Sequence, residues 1–377
     1  MQKLLPHIRH TVLQIRDNEG FHSLASDMRT DIILTLIEAS RSPGMSWKRF
    51  AIDQAKEVMH GLNDGFLQSC IAQRECILHR ITGDIKQAAI DINTAPLASN
   101  LPPIEKKAHS GSGHTAIQRA LNHIQVDELA MATDVLDSWH PLSQAPSTIE
   151  EVVLFRKHVL LGKISQYQGR FEESLVHLER SKELADLRRH LFFDEDRLDL
   201  MCTLSDTLLE LGFPTAAEQT LRSEISRRDK GGTSAGFLLK LGLAESLFAQ
   251  ERYREAETIC SEAQSQEKLS KMEKLRLAII RAKLSHISFN WEEAIRYWTE
   301  AMHAISQFTL TNGNTTRIIL LSICDILRQQ GNHELELKSR DQLSTLEMLA
   351  GSGGARYWIV GLRQWLHHLQ PPDKPRI

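Results

Sequence analysis

Three stretches of the sequence carry residue types that could do chemistry. Gly232-Thr233-Ser234-Ala235-Gly236 has the spacing that presents a serine nucleophile. Phe193-Asp194-Glu195-Asp196 with Asp199 gathers carboxylates of the kind that hold magnesium. Seventeen histidines include the adjacent pair His367-His368. Each of these fails on its context. A nucleophile elbow needs a strand before the serine and a helix after it, but a basic turn, RRDKGG, precedes Ser234 and nothing strand-like lies nearby. The acidic run has no second acidic motif at a matching distance, and acids in a first helical turn are favoured by the helix dipole alone. No histidines form H-E-x-x-H, and Gly351-Ser352-Gly353-Gly354 lacks the Lys and Ser/Thr of a phosphate loop. The sequence thus offers no catalytic constellation, no metal site and no cofactor site, and leans away from an enzyme.

The elements that would position any site repeat. Gln168–Asp186, QGRFEESLVHLERSKELAD, reads as a turn at Gly169, an aromatic residue, two acids and an amphipathic helix; GFPTAAEQTL, ERYREAETIC, FNWEEAIRYW and GNHELELKSR share that grammar. Anchoring on the small residue after each turn gives Ala88, Ala132, Ser174, Ala217, Ala256 and Ala294, with Glu336 as a defective seventh, 38 to 44 residues apart. Twelve residues upstream stand Cys76, Ala120, Gly162, Ser205, Ala244, Ala282 and Cys324, all small. Small opposite small is what two antiparallel helices need to approach to about 8–10 Å. Such hairpins bury their apolar faces only by stacking on neighbours.

The pattern, clearest in LLGKISQYQGRFEESLVHLERS and LGLAESLFAQERYREAETICSEA, resembles the tetratricopeptide repeat over roughly Phe66–Leu349. It departs from that family in a period near forty residues, against about 34, and in mostly lacking the closing Pro. Expanded repeats of this type look like those that follow the nucleotide-binding domains of fungal sensor proteins. The resemblance implies an all-α, right-handed α-solenoid of about seven hairpins, with the first helix of each hairpin lining a concave groove that takes a peptide or protein surface.

One row on that implied face, eleven residues before each anchor, reads Ile77, Leu121, Lys163, Asp206, Glu245, Lys283 and Asp325, with Arg156, Tyr167, Asp199, Phe248, Arg276, His286 and Arg328 on neighbouring rows. The candidate binding residues are therefore Lys163, Tyr167, Asp206, Glu245, Phe248, Lys283, His286, Asp325 and Arg328. The plainer explanation is that Lys163–Asp206 and Glu245–Lys283 pair across adjacent repeats, each worth about 0–1 kcal/mol at a surface. Ile77 and Leu121 make one end of the groove apolar and leave the other charged.

Around this array, residues 1–62 read as an irregular N-terminal helical cap and 63–93 as the first registered repeat. Residues 94–113, with Pro102-Pro103 and a Ser/Gly run, read as a flexible loop. Residues 114–350 form the helical-repeat array, and 355–370 a C-terminal capping helix with Trp358, Leu362, Trp365 and Leu369 on one face. A net charge of −3 argues against a nucleic-acid partner. No uninterrupted apolar run reaches about 18 residues, so no membrane span is expected. The first residues lack a signal peptide's apolar core, and Cys70, Cys76, Cys202, Cys260 and Cys324 are scattered as core thiols would be. The expected setting is cytoplasmic. The function these features favour is a protein-interaction scaffold. The alternative is a cofactor-independent cyclase or isomerase, or a carrier of a small apolar molecule, in a fungal specialised-metabolite pathway, with Trp291 and Trp298 lining its pocket.

Overall fold

Each registered hairpin closes through a residue in the left-handed backbone region, five positions before the anchor. Gly83, Asp127, Gly169, Gly212, Glu251, Phe289 and Gly331 all have φ between 56° and 88°. The amide of the following residue then reaches back to the inner helix: Asp84 to His79, Arg170 to Ser165, Phe213 to Leu208, Arg252 to Leu247 and Asn332 to Leu327, each between 2.8 and 2.9 Å. This left-handed closure satisfies the orphan carbonyls of the last helical turn. It fixes where the second helix begins, and so where its small residue falls.

The computed structural model describes residues 5–18, 20–42, 44–94, 106–187, 194–230, 236–265, 269–308, 313–350 and 361–369, and the secondary structure there is helical. The motif at residues 232–235, Phe193 and Trp358 lie outside the described residues, as do residues 95–105 of the expected loop. The chain divides into two compact units, Met1–Lys157 and His158–Ile377.

The first unit holds α1 (Leu5–Asn18), α2 (Ser26–Ala39), α3 (Met45–Met59), α4 (Gly65–Thr82), α5 (Ile85–Thr94), α6 (Lys106–Gln125), α7 (Leu129–Asp137) and the first half of α8 (Thr148–Tyr167). Within residues 1–62, read as an irregular cap, α2 and α3 pack as a hairpin, and both pack on α4. Val12, Ile33, Leu36, Ala51, Val58 and Leu67 form their shared core. Arg29 donates to the carbonyls of Val58 (2.5 and 3.1 Å) and His60 (2.5 Å), tying α2 to the end of α3.

Residues 106–113, expected in a flexible loop, are helical, because α6 already begins at Lys106. Within the Ser/Gly run read as flexible, Gly113 is a point of close packing. A Cβ on Gly113 would lie 2.5 Å from Val153 and 2.7 Å from the Trp139 ring. Trp139 donates to the His109 carbonyl at 3.1 Å and stacks on the His109 ring at 5.3 Å. Small residues here admit an indole, and the composition that signals disorder in isolation serves close approach.

The second unit continues through α9 (Phe171–Leu187), α10 (Asp194–Glu210), α11 (Pro214–Lys230), α12 (Phe237–Ala249), α13 (Tyr253–Gln264), α14 (Lys271–Ile287), α15 (Trp291–Ile305), α16 (Asn314–Gln329), α17 (His333–Ala350) and α18 (Leu362–Leu369). The pairs α10/α11, α12/α13, α14/α15 and α16/α17 pack as hairpins, and the inner helices α10, α12 and α14 pack on one another in sequence. Ala217, Ala244, Ala256, Ala282 and Ala294 are wholly buried at the crossings, as the small-residue register requires. The defective anchor Glu336 shows what happens without a small residue: its carboxylate is held by Arg340 at 2.7 Å and Arg328 at 3.1 Å, and the Arg340 hydrogen bond is the chief cause of its lowered pKa.

Three turns place a non-glycine residue where a Cβ is penalised. Glu251, exposed and at φ 61°, is the simplest to relieve. Glu251→Gly should stabilise the chain by about 1 kcal/mol, raising the midpoint of urea unfolding. A lowered midpoint would mean that the Glu251 side chain contributes more than its backbone strain costs.

Candidate functional site

Residues of the predicted row fall on successive inner helices of the second unit, but the structure partners them differently from the expected neighbour pairs. Lys163, on the second half of α8, contacts both carboxylate oxygens of Asp199 at 2.6 and 2.7 Å, not Asp206. Burial alone would depress the Lys163 ammonium, but Asp199 holds it above its ordinary value. Tyr167, one turn further on, has its hydroxyl pKa pushed up by burial.

Asp206 is matched instead with Arg276, two inner helices away. The guanidinium grips the carboxylate through Nη1–Oδ1 at 3.2 Å and through a second, Nη2–Oδ2 contact. The bridge passes over Gly242 on the intervening α12, where a Cβ would lie 3.8 Å from Arg276 Nη1. Both side chains are buried, and although burial opposes it, Asp206 holds the Arg276 guanidinium firmly protonated. Cys202, one turn before Asp206, has its thiol pKa driven upward by burial, which disfavours the thiolate.

Glu245 and Lys283 do pair as neighbours, at 2.9 Å, with side chains only 2% and 1% exposed. They are not a surface ladder. A buried pair of this kind repays its desolvation only when its remaining atoms are also satisfied. Part of that satisfaction comes from α18. Lys283 donates to the Gly361 carbonyl at 3.2 Å, while the Gly361 amide donates to Glu210 on α10 at 2.6 Å. A Cβ at Gly361 would lie 2.8 Å from both Glu245 Oε2 and Lys283 Nζ, and its φ is +74°. Two requirements, conformation and room, thus select glycine there.

From Gly361 the helix runs along the inner face. Trp365 is buried and donates to the Ser322 hydroxyl on α16 at 2.8 Å, and Gln364 donates to the Leu209 carbonyl at 3.2 Å. Around Trp365 stand Phe248, His286 and Trp298, with ring centroids 6.2, 5.1 and 5.9 Å away. His286 faces Asp325 at 3.2 Å, and exposed Arg328 turns to Glu336 and, at 3.8 Å, Asp325. Of the C-terminal capping helix expected over 355–370, residues 355–360 and 370 lie outside the described residues, and α18, Leu362–Leu369, lies against the inner helices α10 and α16. Trp298, with no exposed surface, belongs to the core beneath it, and the half-buried Trp291 packs against that core.

The inner face of the first unit is not the apolar end that Ile77 and Leu121 suggested. Arg74 and Lys48 converge on the Ser40 carbonyl at 3.0 and 3.2 Å, at the C-terminus of α2. Arg80 donates to Gln118 at 2.9 Å and to Asn122 at 3.1 Å. Burial and the Arg41 charge push the Arg74 pKa down to about 10, and burial, reinforced by Arg156 and Arg41, pushes His114 down to about 4. Among the described residues no group of three His, Cys, Asp or Glu is placed to hold a metal, and no helix is long and apolar enough to cross a membrane.

No family model matches this chain, and no curated protein does either. Solved structures do. A signal-transduction ATPase of Pyrococcus horikoshii with a tetratricopeptide repeat sensor is similar at 12% identity with a TM-score of 0.50, over 92% of this chain and 53% of that one, so the chain spans about half its length. A tetratricopeptide repeat protein of Parabacteroides merdae shares 12% identity, with a TM-score of 0.47 and coverage of 79% and 98%. The pilF protein of Pseudomonas aeruginosa shares 15% identity, with a TM-score of 0.42 and coverage of 62% and 90%. The chain has an all-α, tetratricopeptide-like helical-repeat fold, and likeness at these identities speaks to fold alone.

Sequence reading missed Glu210, Gly361 and Ser322, the groups that grip α18. Glu210 closes an inner helix just before the Gly212 turn, where an acid looks like a solvated helix end. A mid-repeat Ser322 looks like ordinary small-residue packing.

Two measurements probe the buried charge. Lys283→Met alone strands Glu245 and should cost about 3–5 kcal/mol in urea unfolding, whereas Glu245→Leu with Lys283→Met should recover most of it. Equal losses in single and double variants would mean the pair is not coupled. In the first unit, the neutral form of His114 is the folded one. Its folded pKa, about 4, lies below the unfolded value, so its contribution is present above about pH 6.5 and lost as pH falls toward 4. Unfolding of that unit should ease by roughly 1–2 kcal/mol between about pH 7 and pH 5, and His114→Gln should flatten the dependence.

Proposed function

We propose that this chain is a protein-interaction scaffold that takes an amphipathic helix in the inner groove of its second unit. One observation carries the reading: that groove already holds a short helix, gripped at the residue before its first turn by Glu210 and Lys283 and anchored at its centre by its own buried tryptophan on Ser322. Helix-in-groove recognition combines apolar anchors with a few fixed polar groups, and both are present. Asp206, Glu245, Lys283, His286 and Asp325 form the base of the groove in this reading. Phe248 and Tyr167 supply aromatic contacts in this reading, and the charges of Lys163 and Arg328 steer a partner. No nucleotide, metal or cofactor is invoked, and tetratricopeptide-like neighbours fit an interaction role in general.

Native mass spectrometry of the full-length protein, isolated from the cells that express it, should find a polypeptide bound in stoichiometric amount. Phe248→Ala should shed that polypeptide faster, through loss of an apolar contact, while Lys163→Glu should slow its association and change the salt dependence. A retained metabolite without a polypeptide would overturn the proposal. So would a polypeptide indifferent to both substitutions.

A further inference from the structure

We infer that α18 is a displaceable plug, and that the groove's external partner is an amphipathic helix of the same design: a glycine at its start, a tryptophan four residues on, and a bulky apolar residue three further. The inference rests on the proposed use of the groove as an interaction surface, and deepens it by naming the partner's chemistry.

Three observations carry it. The first is what grips the helix. Glu210, Glu245 and Lys283 are charged and almost wholly buried under α18, and Glu210 and Lys283 read the amide and the carbonyl of one residue, Gly361. A permanently attached helix would be held as well by an apolar floor, because burying charges is costly even when they are paired. Charged groups are at home in water when the helix leaves and can be satisfied by the main chain when a helix arrives. The floor suits both states.

The second is the weakness of the occupant. The helix has eight residues, and its fully buried side chains are Leu362 and Trp365. A helix of that length has little stability of its own. Its hold rests on one glycine, one leucine, one indole and the Gln364 hydrogen bond, with Leu366 and Leu369 half-buried beside them, a set that another chain can reproduce.

The third is imperfect fit. Beside the helix lies a cavity of about 200 Å³ lined by Glu245, Phe248, Tyr253, Lys283, Gln364 and His368. His368 stacks on Trp365 at 4.9 Å yet remains exposed. Apolar bulk at the His368 position would fill the space against Phe248 and Tyr253, so a partner carrying it fits better than the resident helix. Gly361 defines the other end, since a side chain there meets Glu245 and Lys283 at 2.8 Å.

The test uses a fluorescein-labelled synthetic peptide of residues 361–369, GLRQWLHHL, added in trans to full-length protein and followed by anisotropy. Trp365→Ala or Gly361→Leu in the chain loosens the plug without altering the groove wall. Both variants should bind the peptide at least tenfold more tightly than the wild type, whose own helix competes. A peptide with His368→Leu should bind severalfold more tightly than the parent, and one with Gly361→Leu should not bind. Equal binding by wild type and both variants overturns the plug, as does undiminished binding of the Gly361→Leu peptide. If both chain variants lose the helical circular dichroism of the array, α18 is a structural element and the inference falls. Failure here alongside a stoichiometric polypeptide on the native protein removes the plug and leaves the interaction reading standing. Failure of both removes both.

Discussion

The close approach of two helices at a pair of small residues is the constraint on which this structure depends. Ala244 faces the Ala256 helix and Ala282 the Ala294 helix, all without exposed surface. The left-handed turn residue five positions before the anchor holds the second helix in phase with the first. Phase, not composition, makes the repeats alike: Phe289 and Gly331 do the same backbone work although one is bulky and the other has no side chain. Where a crossing departs from the rule, its chemistry changes. Glu336 cannot be buried as an apolar contact, so Arg328 and Arg340 enclose it. At Gly162 the small position is filled from the other side, by Leu178, which would lie 2.7 Å from a Cβ.

Tight crossings have a consequence for the inner helices. They stand near enough that Arg276 on α14 reaches Asp206 on α10 over Gly242. Side chains that would be solvated on a flatter array become buried on this one. A charge in such a place must find a partner, because an unpaired buried ion is destabilising by several kcal/mol. The row itself does not alternate in sign, since Asp206 and Glu245 are both acids, and each charge finds its opposite on its own row or a neighbouring one: Lys163 with Asp199, Asp206 with Arg276 and Glu245 with Lys283. Apolar residues would pack there as well, so stability alone does not select the charges.

Much of this was legible in the sequence, and what was not has physical reasons. The anchor spacing located the crossings because van der Waals contact at a crossing excludes large side chains irrespective of their surroundings. The row of charges was legible for the same reason, being a fixed offset from the anchors. Its pairing was not. Adjacency in repeat number suggested Lys163 with Asp206, whereas the reach of Arg276 past a glycine depends on curvature, which no local pattern encodes. The Ser/Gly run near Gly113 looked flexible because small residues are ambiguous between freedom and close packing, and only Trp139 across from it decides. The stripe of Leu362 and Trp365 announced an amphipathic helix but not the surface it would cover. A chain end and an inner groove both offer apolar contact, and the polar groups that discriminate, Glu210 and Ser322, lie about 150 and about 40 residues away in sequence.

The two units settle buried charge in different ways, and that difference bears on which surface can exchange partners. In the first, the cations meet fixed acceptors. Arg29 holds the carbonyls of Val58 and His60, Arg74 and Lys48 hold that of Ser40, and Arg80 holds two amide side chains. Main-chain carbonyls at helix ends cannot be traded without fraying the helix, so those cations act as fasteners. In the second, acids and bases hold one another, and Lys283 divides its hydrogen bonds between Glu245 and a peptide unit of a short, separate helix. When that peptide unit leaves, Lys283 keeps Glu245 and regains water. Charge arranged in this second way permits a surface to be covered and uncovered without unfolding what lies beneath it, and among the described inner surfaces the one under α18 has that property.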